Sequence, residues 1–223
     1  QTMKKTIINS TLAVFIAIGA VSCNEGKKEA KTSEAKEVAE TTQEAVDYTV
    51  DTAASTIKWH GEKPTGSHHG TVDLAEGSLS VNNNMIEAGN FTIDMKTIND
   101  EDLEGEKKAN LEAHLMGTVE GKEGDFFNVN KYPTATFELT GVEAMGDHTM
   151  IKGNLTMKDK TNHIEFPATV NMDVDKVMIE SKPFTIDRTK WGVNYGSKSV
   201  FDNLGDKFIS DDIELTISLI AKK

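Results

Sequence analysis

The chain has little cysteine: among its 223 residues the single cysteine is Cys23. One cysteine cannot form a disulfide within the chain, and it is too few for a thiolate zinc cluster. Basic side chains are also scarce, because 24 Lys and Arg stand against 36 Asp and Glu, giving a formal net charge of −12. Nucleic acids and anionic lipid surfaces are bound mainly through Lys and Arg, so this balance argues against both as partners.

Residues 1–22 have the pattern of a secretory signal peptide. Two lysines follow Met3, the expected start of translation, and precede an apolar run over residues 7–18. That run is shorter than the roughly 20 residues that a membrane-spanning helix needs, and small residues separate it from Cys23. The four residues ending in Cys23 resemble a lipobox, where bacteria attach diacylglycerol to the thiol. We therefore predict an exported protein that begins at a lipidated Cys23 and is anchored in the cell envelope, facing the periplasm or the cell surface.

Residues 23–47 are predicted to be the lipidated cysteine and a disordered acidic tether. Glu, Ala, Lys, Thr and Ser dominate this segment, and Val38 and Val46 are its only branched apolar residues before the strands begin. Such a composition cannot offset the entropy of ordering, and it offers no apolar face for a partner. As a random coil the tether would span roughly 25–30 Å.

From residue 48 onwards apolar and polar residues alternate with a period of two, which is typical of half-buried strands. Phe91 and Ile93, for example, alternate with Thr92 and Asp94. Turn-forming residues separate the strands, and we predict turns at Glu76-Gly77, Asn82-Asn83-Asn84, Ala88-Gly89, Met145-Gly146-Asp147 and Lys158-Asp159.

One segment departs from this period. Leu111 and Leu115 are four residues apart among Glu, Lys and Ala, which predicts a short amphipathic helix over residues 103–116 that ends at Gly117 or Gly121. About ten short strands with one inserted helix are compatible with a sandwich or a closed barrel. A closed barrel is favoured, because closure removes the exposed strand edges.

Several segments between Tyr48 and Ala221, taken in order, resemble the YceI-like family. They are Tyr48-Thr-Val-Asp51, His69-Gly70-Thr-Val72, Gly89-Asn-Phe91-Thr-Ile93, Asp125-Phe126-Phe127, Tyr132-Pro133-Thr-Ala-Thr-Phe137 and Ile186-Asp187-Arg188-Thr-Lys-Trp191-Gly192. The resemblance implies that residues 48–223 form an all-β, lipocalin-like, eight-stranded antiparallel β-barrel with a short inserted α-helix. It also implies a channel that binds a polyisoprenoid or another long-chain lipid, for storage or transport. Related barrels often pair, which leaves a homodimer open.

Within such a barrel, the inward face must be apolar but incompletely filled, and methionine adapts well to a mobile chain. Alternatively, these methionines fill gaps in an ordinary core. The predicted ligand-lining residues are Phe91, Ile93, Met95, Phe126, Phe127, Phe137, Leu155, Met157, Phe166 and Phe184.

A polar head group would need a donor near the mouth of the channel. Arg188 is the candidate, with Trp191 and Tyr195 close to it in the sequence. The alternative for Arg188 is a structural ion pair with Asp187 or another acid.

Catalysis is not expected. There is no Gly-x-Ser-x-Gly motif, and lipidation would consume the only thiol. The adjacent His68 and His69 are the only histidine cluster, but neighbouring residues on a strand point to opposite faces and the sequence indicates no third ligand. We therefore expect no metal site, no cofactor and no enzyme. Two other functions stay open, an envelope stress or scaffold protein that acts through a protein partner and a lipid-acting hydrolase.

Overall fold

A computed structural model describes residues 28–223, so the predicted signal peptide, Cys23 and the first residues of the tether lie outside the described part. One α-helix, α1 (Gly105–Met116), and two short 3-10 helices, η1 (Arg188–Trp191) and η2 (Gly205–Lys207), accompany the strands. The strands are β1 (Lys28–Glu29), β2 (Lys31–Glu34), β3 (Val46–Val50), β4 (Thr56–Lys63), β5 (Gly66–Asn82), β6 (Met85–Asp100), β7 (Thr134–Ala144), β8 (Thr149–Met157), β9 (Lys160–Met172), β10 (Lys176–Ser181), β11 (Phe184–Asp187) and β12 (Asp212–Lys222).

Eight of these strands close into a ring in the order β4-β5-β6-β7-β8-β9-β10-β12, and β12 pairs with β4 to complete it. Every pairing in the ring is antiparallel. Two further strands pair with strands of the ring. Strand β3 pairs with β5 and β12, the same two neighbours that β4 has. Strand β11 pairs with β12, which is also a neighbour of β10. The predicted eight-stranded antiparallel barrel with one inserted helix is confirmed.

Helix α1 lies between β6 and β7. It ends where predicted, because Gly117 adopts the left-handed conformation (φ 70°) and its N–H donates to the carbonyls of the last turn. The side chains of Leu115 and Met116 pack against the core of the barrel. Within residues 28–223, no helix combines the length and the apolar character that crossing a membrane requires.

Tight turns at two predicted places are confirmed. Asn83 and Asn84 have φ values of 47° and 60°, and Lys158 and Asp159 have 48° and 62°, as two-residue hairpin turns require. The turns predicted at Glu76-Gly77 and Ala88-Gly89 are wrong, because both pairs lie inside long strands. The cause at the first pair is a shift of register between Leu74 and Glu76, where a bulge bends β5 without ending it.

Residues 28–45, here called the strap, run along the wall of the barrel, and Ala30 within them is buried in its core. Strand β1 pairs in parallel with β11, and β2 pairs antiparallel with β9. Further along, the N–H of Ala39 donates to the carbonyl oxygen of Leu139 over 2.9 Å. The prediction of a disordered tether is therefore wrong from residue 28 onwards. Polar contacts and backbone pairing, which need no apolar stripe in the sequence, hold the strap in place.

Three polar side chains of the barrel wall contact the strap. Asn154 of β8 hydrogen-bonds the backbone of Lys36, His163 of β9 is 1% exposed and lies 3.5 Å from the Ser33 hydroxyl, and Glu165 pairs with the Lys36 ammonium at 3.4 Å. Burial, together with the nearby charge of Lys36, lowers the pKa of His163. The strap thus covers polar groups that would otherwise lie on the outer surface of β8 and β9.

One end of the barrel is closed by packed side chains. Leu79, Val81, Ala168, Val177 and Ala221 are all at most 7% exposed there. This end lies beside the β5–β6 turn. The β4–β5 hairpin and α1 lie at the opposite end.

Candidate functional site

A cavity of about 620 Å³ occupies the interior of the barrel. All eight ring strands contribute apolar side chains to its wall, because each strand turns alternate residues inward. The volume lies within the range of small-molecule binding sites. The apolar side chains along the strands are Ile57, Trp59, Val72, Leu74, Phe91, Ile93, Met95, Ile98, Ala135, Phe137, Leu139, Ile151, Leu155, Met157, Ile164, Phe166, Ile179, Phe184, Ile186, Ile213, Leu215, Ile217 and Leu219.

Four phenylalanines follow one another across the wall. The ring centroids of Phe91 and Phe137 are 6.3 Å apart, those of Phe137 and Phe166 are 5.9 Å apart, and Phe166 stacks on Phe184 at 4.3 Å. Phe137 can lie flat against its neighbour β8 because residue 153 is glycine: a Cβ there would be 2.3 Å from the Phe137 ring. The aromatic series gives one side of the cavity a rigid, apolar surface.

All ten residues predicted to line a ligand channel border this cavity. Met95 and Met157 are among them, each 8% exposed. Contact of these residues with a bound molecule remains a prediction. Trp59, Ile179 and Leu215 also line the cavity and were not predicted to do so, although they follow the same alternation on β4, β10 and β12.

Polar side chains border the cavity at one end only, which we call the mouth. They come from the β4–β5 hairpin with His68, from α1, and from residues 188–212. Lys63, Asp206 and Lys207 of this set are exposed, so the cavity reaches the surface here. A molecule in the cavity would have its apolar part among the strands and a polar end at the mouth.

His114 of α1 organises one side of the mouth. Its Nε2 lies 2.7 Å from Asp125 Oδ2, and its ring contacts Phe126 and Tyr195 edge-on, with centroid distances of 5.1 Å and 5.0 Å. The ammonium of Lys158 donates to the carbonyl oxygen of Phe126, and burial lowers the pKa of Lys158. These contacts hold α1, the 125–127 segment and Tyr195 together.

Arg188, the predicted head-group donor, is 2% exposed and borders the cavity. Its Nε, Nη1 and Nη2 donate to the carbonyl oxygens of Ser210 (2.9 Å), Val193 (2.6 Å) and Ile209 (3.1 Å). Its Nη2 also lies 3.7 Å from Asp211 Oδ1, whereas Asp187 instead accepts from the N–H of Thr189. The guanidinium therefore fastens the two ends of the 193–210 loop, and its role as a head-group donor remains a prediction.

The other two predicted head-group residues are placed differently from each other. Trp191 is 0% exposed, does not border the cavity, and donates from Nε1 to the carbonyl oxygen of Leu155 over 2.8 Å. Tyr195 is 42% exposed and borders the mouth. Of the two, only Tyr195 is positioned to meet a ligand.

A cluster that the sequence did not indicate lies beside the mouth. Side-chain ligand atoms of His68, Asp100 and Asp102 all lie within 4.8 Å of one another. Burial raises the pKa of Asp100, and the adjacent Asp102 carboxyl adds to this effect. Although burial opposes it, hydrogen bonds from the His69 N–H and the His68 ring lower the pKa of Asp102 to about 2. The two histidines alone predict no metal site, and the two carboxylates are brought beside His68 only by the fold.

Comparison with known structures supports the fold. The structure of BcnA from Burkholderia cenocepacia covers 78% of this chain and 99% of its own, with 21% identity and a TM-score of 0.59. A polyisoprenoid binding domain from Saccharophagus degradans, implicated in plant cell wall breakdown, covers 78% of this chain and 97% of its own, with 14% identity and a TM-score of 0.55. At these identities the likeness concerns the fold alone.

Sequence comparison extends the likeness to bacterial relatives. A UPF0312 protein of Pseudomonas aeruginosa is 39% identical over 89 residues, which are 36% of this chain and 43% of the relative. A UPF0312 protein of Pseudomonas putida is 33% identical over 104 residues, 46% of this chain and 49% of the relative. These alignments span about half the length of the curated relatives. The YceI-like domain, in contrast, matches residues 48–221, and on that match the chain belongs to the YceI-like family.

Proposed function

We propose that this protein binds one long-chain apolar molecule, of the polyisoprenoid or fatty-acyl type, inside its barrel, for storage or transport. The observation that carries the proposal is the cavity of about 620 Å³, whose wall is apolar along all eight ring strands and polar only at the mouth. That distribution suits a slender amphiphile with one polar end, and it offers nothing to a ligand that is polar throughout.

The expected binding energy comes from removing the chain from water. Each buried methylene contributes about 0.8 kcal/mol, and the flexible side chains of Met95 and Met157 can adapt to a chain without a fixed shape. The barrel supplies this surface already formed, so little ordering opposes binding. Longer chains should therefore bind more tightly until the cavity is filled.

The comparisons support the class of ligand. The Saccharophagus degradans domain of the same fold is described as a polyisoprenoid binding domain. Binding without catalysis is part of the proposal, because the residues that border the cavity away from the mouth carry no nucleophile or base.

The test begins with protein purified from membrane-containing cells, extracted with organic solvent and analysed by mass spectrometry. We expect a long-chain lipid in about equimolar amount. Delipidated protein should then bind a fatty acid and a polyprenol added in detergent-free buffer, with an increase in melting temperature that grows with ligand concentration. Absence of a co-purified lipid together with absence of binding would exclude the proposal.

Matched variants on β12 distinguish the cavity from the outer surface. Leu215 borders the cavity, whereas its neighbour Thr216 does not. Leu215→Trp should fill part of the cavity and reduce affinity at least tenfold, and Thr216→Trp should leave affinity within about twofold. Equal loss in both variants would show that the ligand binds elsewhere.

We further propose that Cys23 is lipidated and anchors the protein in the cell envelope. The support is the signal-peptide pattern and the lipobox-like residues that precede Cys23. Metabolic labelling with a radioactive fatty acid, followed by membrane fractionation, tests this: the wild-type protein should be labelled and sediment with membranes. Cys23→Ser should be unlabelled, and full membrane retention of that variant would contradict the proposal.

A further inference from the structure

The cluster beside the mouth is assembled by the pairing of β5 with the end of β6. Gly70 lies opposite Asp100, and the N–H of Glu101 donates to the carbonyl oxygen of His69 over 2.9 Å. The chain then turns, and Asp102 comes to rest beside His68 and His69. The close approach of the two strands depends on Gly70, because a Cβ there would lie 1.8 Å from the Asn99 carbonyl oxygen.

Asp102 joins both histidines to the cluster. Its Oδ2 lies 2.9 Å from His68 Nδ1, while its Oδ1 accepts from the backbone N–H of His69 at 2.8 Å and lies 3.6 Å from His69 Nδ1. A single carboxylate thus reaches two residues that leave their strand in opposite directions. This arrangement supplies the further oxygen ligands that the His68-His69 pair alone lacked.

Asp100 is the residue that points to a ligand. Its side chain is 0% exposed, and while Oδ1 accepts from the N–H of Leu103 at 2.7 Å, Oδ2 has no hydrogen-bond donor. A buried carboxylate oxygen without a donor is costly. Within residues 28–223, neither Asp100 nor Asp102 forms an ion pair with Lys or Arg. The two adjacent carboxylates are therefore met by the two imidazoles and by the backbone N–H groups of His69 and Leu103, and by no Lys or Arg of the described residues.

We propose that His68, Asp100 and Asp102 bind one divalent transition-metal ion, with Zn²⁺ as the best match. One imidazole nitrogen and two carboxylate oxygens are a normal ligand set for Zn²⁺, whereas Ca²⁺ and Mg²⁺ favour oxygen ligands throughout. Three protein ligands leave a coordination position open for water or another donor. The ion would neutralise both carboxylates and give the Asp100 oxygen a partner.

An ion bound at this position would connect two segments of the mouth. His68 also borders the cavity. The backbone N–H of Asp100 donates to Oε1 of Glu112 on α1 over 2.9 Å. A bound ion would therefore fasten the β4–β5 hairpin to the start of the helical segment at the mouth. The proposal does not depend on the lipid, because the three ligands lie on β5, at the end of β6 and two residues beyond it.

The experiment uses the full chain after treatment with EDTA and dialysis. Isothermal titration with ZnCl₂, checked by competition with a chromogenic chelator, should give one ion per chain. His68→Ala and Asp102→Asn should each weaken Zn²⁺ binding at least tenfold. Asp100→Asn should do the same, and its melting temperature without metal should be measured to show that the variant folds.

A second His–Asp pair provides the control. His148 Nδ1 lies 2.7 Å from Asp147 Oδ1, and within the described residues no third His, Cys, Asp or Glu ligand joins it in a metal-binding group. His148→Ala should leave Zn²⁺ affinity unchanged. The proposal is overturned if the wild type binds no Zn²⁺, or if His68→Ala binds as well as the wild type. Lipid binding is measured separately on metal-free protein, so a negative result for one property does not decide the other.

Discussion

Asn154 and Lys36 are joined by two hydrogen bonds that use both ends of one side-chain amide. The Lys36 N–H donates to Asn154 Oδ1 over 2.9 Å, and Asn154 Nδ2 donates to the Lys36 carbonyl oxygen over 2.7 Å. Asn154 is 4% exposed, so the strap lies over it. The side-chain amide thus accepts from the backbone N–H and donates to the backbone carbonyl of the same strap residue, as the backbone of a neighbouring strand can do.

Asn154→Ala should therefore loosen the strap. Loss of both hydrogen bonds should lower the free energy of unfolding by about 1–3 kcal/mol and increase amide hydrogen exchange in residues 28–45. Hydrogen exchange with mass spectrometry measures the second effect directly. Asn171→Ala, at an exposed site on β9, is the control and should change neither quantity. Unchanged exchange in Asn154→Ala would mean that the other strap contacts suffice.

His163 should make stability depend on pH. Its pKa in the folded protein is lowered from the ordinary value of 6.5, chiefly by burial. The unfolded chain therefore binds a proton on this histidine as the pH falls below 6.5, while the folded protein does not. The stabilising contribution of His163 to the free energy of unfolding should be complete above pH 6.5. It should decrease as the pH falls from 6.5 towards the pKa of His163 in the folded protein.

Urea unfolding over roughly pH 5 to 8 measures this dependence. His163→Gln should give a flatter profile than the wild type in this range. An unchanged slope in His163→Gln would show that this residue is not the titrating group.

Gly70→Ala should destabilise the barrel. The new Cβ would be 1.8 Å from the Asn99 carbonyl oxygen and 2.8 Å from Trp59 Cζ2, and the first of these is backbone. Overpacking of this kind costs about 1–3 kcal/mol. Gly61→Ala is the matched control on the paired strand, because nothing lies within 4 Å of its added Cβ. Thermal unfolding followed by circular dichroism compares the two, and equal melting temperatures would contradict the close approach.

Arg188→Lys should destabilise the protein even without a ligand. The three carbonyl oxygens that the guanidinium reaches cannot all be reached by one ammonium, and each lost charged hydrogen bond costs about 1.5–3 kcal/mol. Lys190→Met, which removes an exposed pair with Glu29 at 3.5 Å, should have little effect. Chemical unfolding of delipidated protein gives both values.

The same variant tests the predicted head-group role. If Arg188 only fastens the 193–210 loop, Arg188→Lys should change the affinities for a fatty acid and for the fatty alcohol of equal length by the same factor. A selective loss of fatty-acid binding would instead assign the head-group carboxylate to Arg188.

Much of the cavity could be predicted from the sequence, because the alternation of residues along a strand decides which side chains point inward. The positions of bulges could not be predicted with the same ease. The apolar residues of β5 fall at Val72 and Leu74 and then at Leu79 and Val81, and this change from even to odd numbers reflects the register shifts within one strand. In the sequence, this break in the alternation is indistinguishable from the end of a strand, and it therefore predicts a turn at Glu76-Gly77.

Predicting the strap and the cluster of His68, Asp100 and Asp102 from the sequence requires information about distant contacts. Nothing in the composition of residues 28–45 indicates that Asn154 would lie opposite Lys36. Asp100 and Asp102 acquire their positions only when β6 pairs with β5, so the local sequence gives them no relation to His68. The sequence places Arg188 near the mouth, but its carbonyl partners lie on the loop between η1 and β12, distant from it in the sequence.

The strap also limits how far the barrel could stand from a membrane. Lys28 is already paired with Phe184 on the wall of the barrel, and only five peptide steps separate it from Cys23. Five extended residues reach about 18 Å at most, which is less than the span expected of a free tether through residue 47. A protein held at Cys23 would have the β11 side of its wall next to the lipid headgroups.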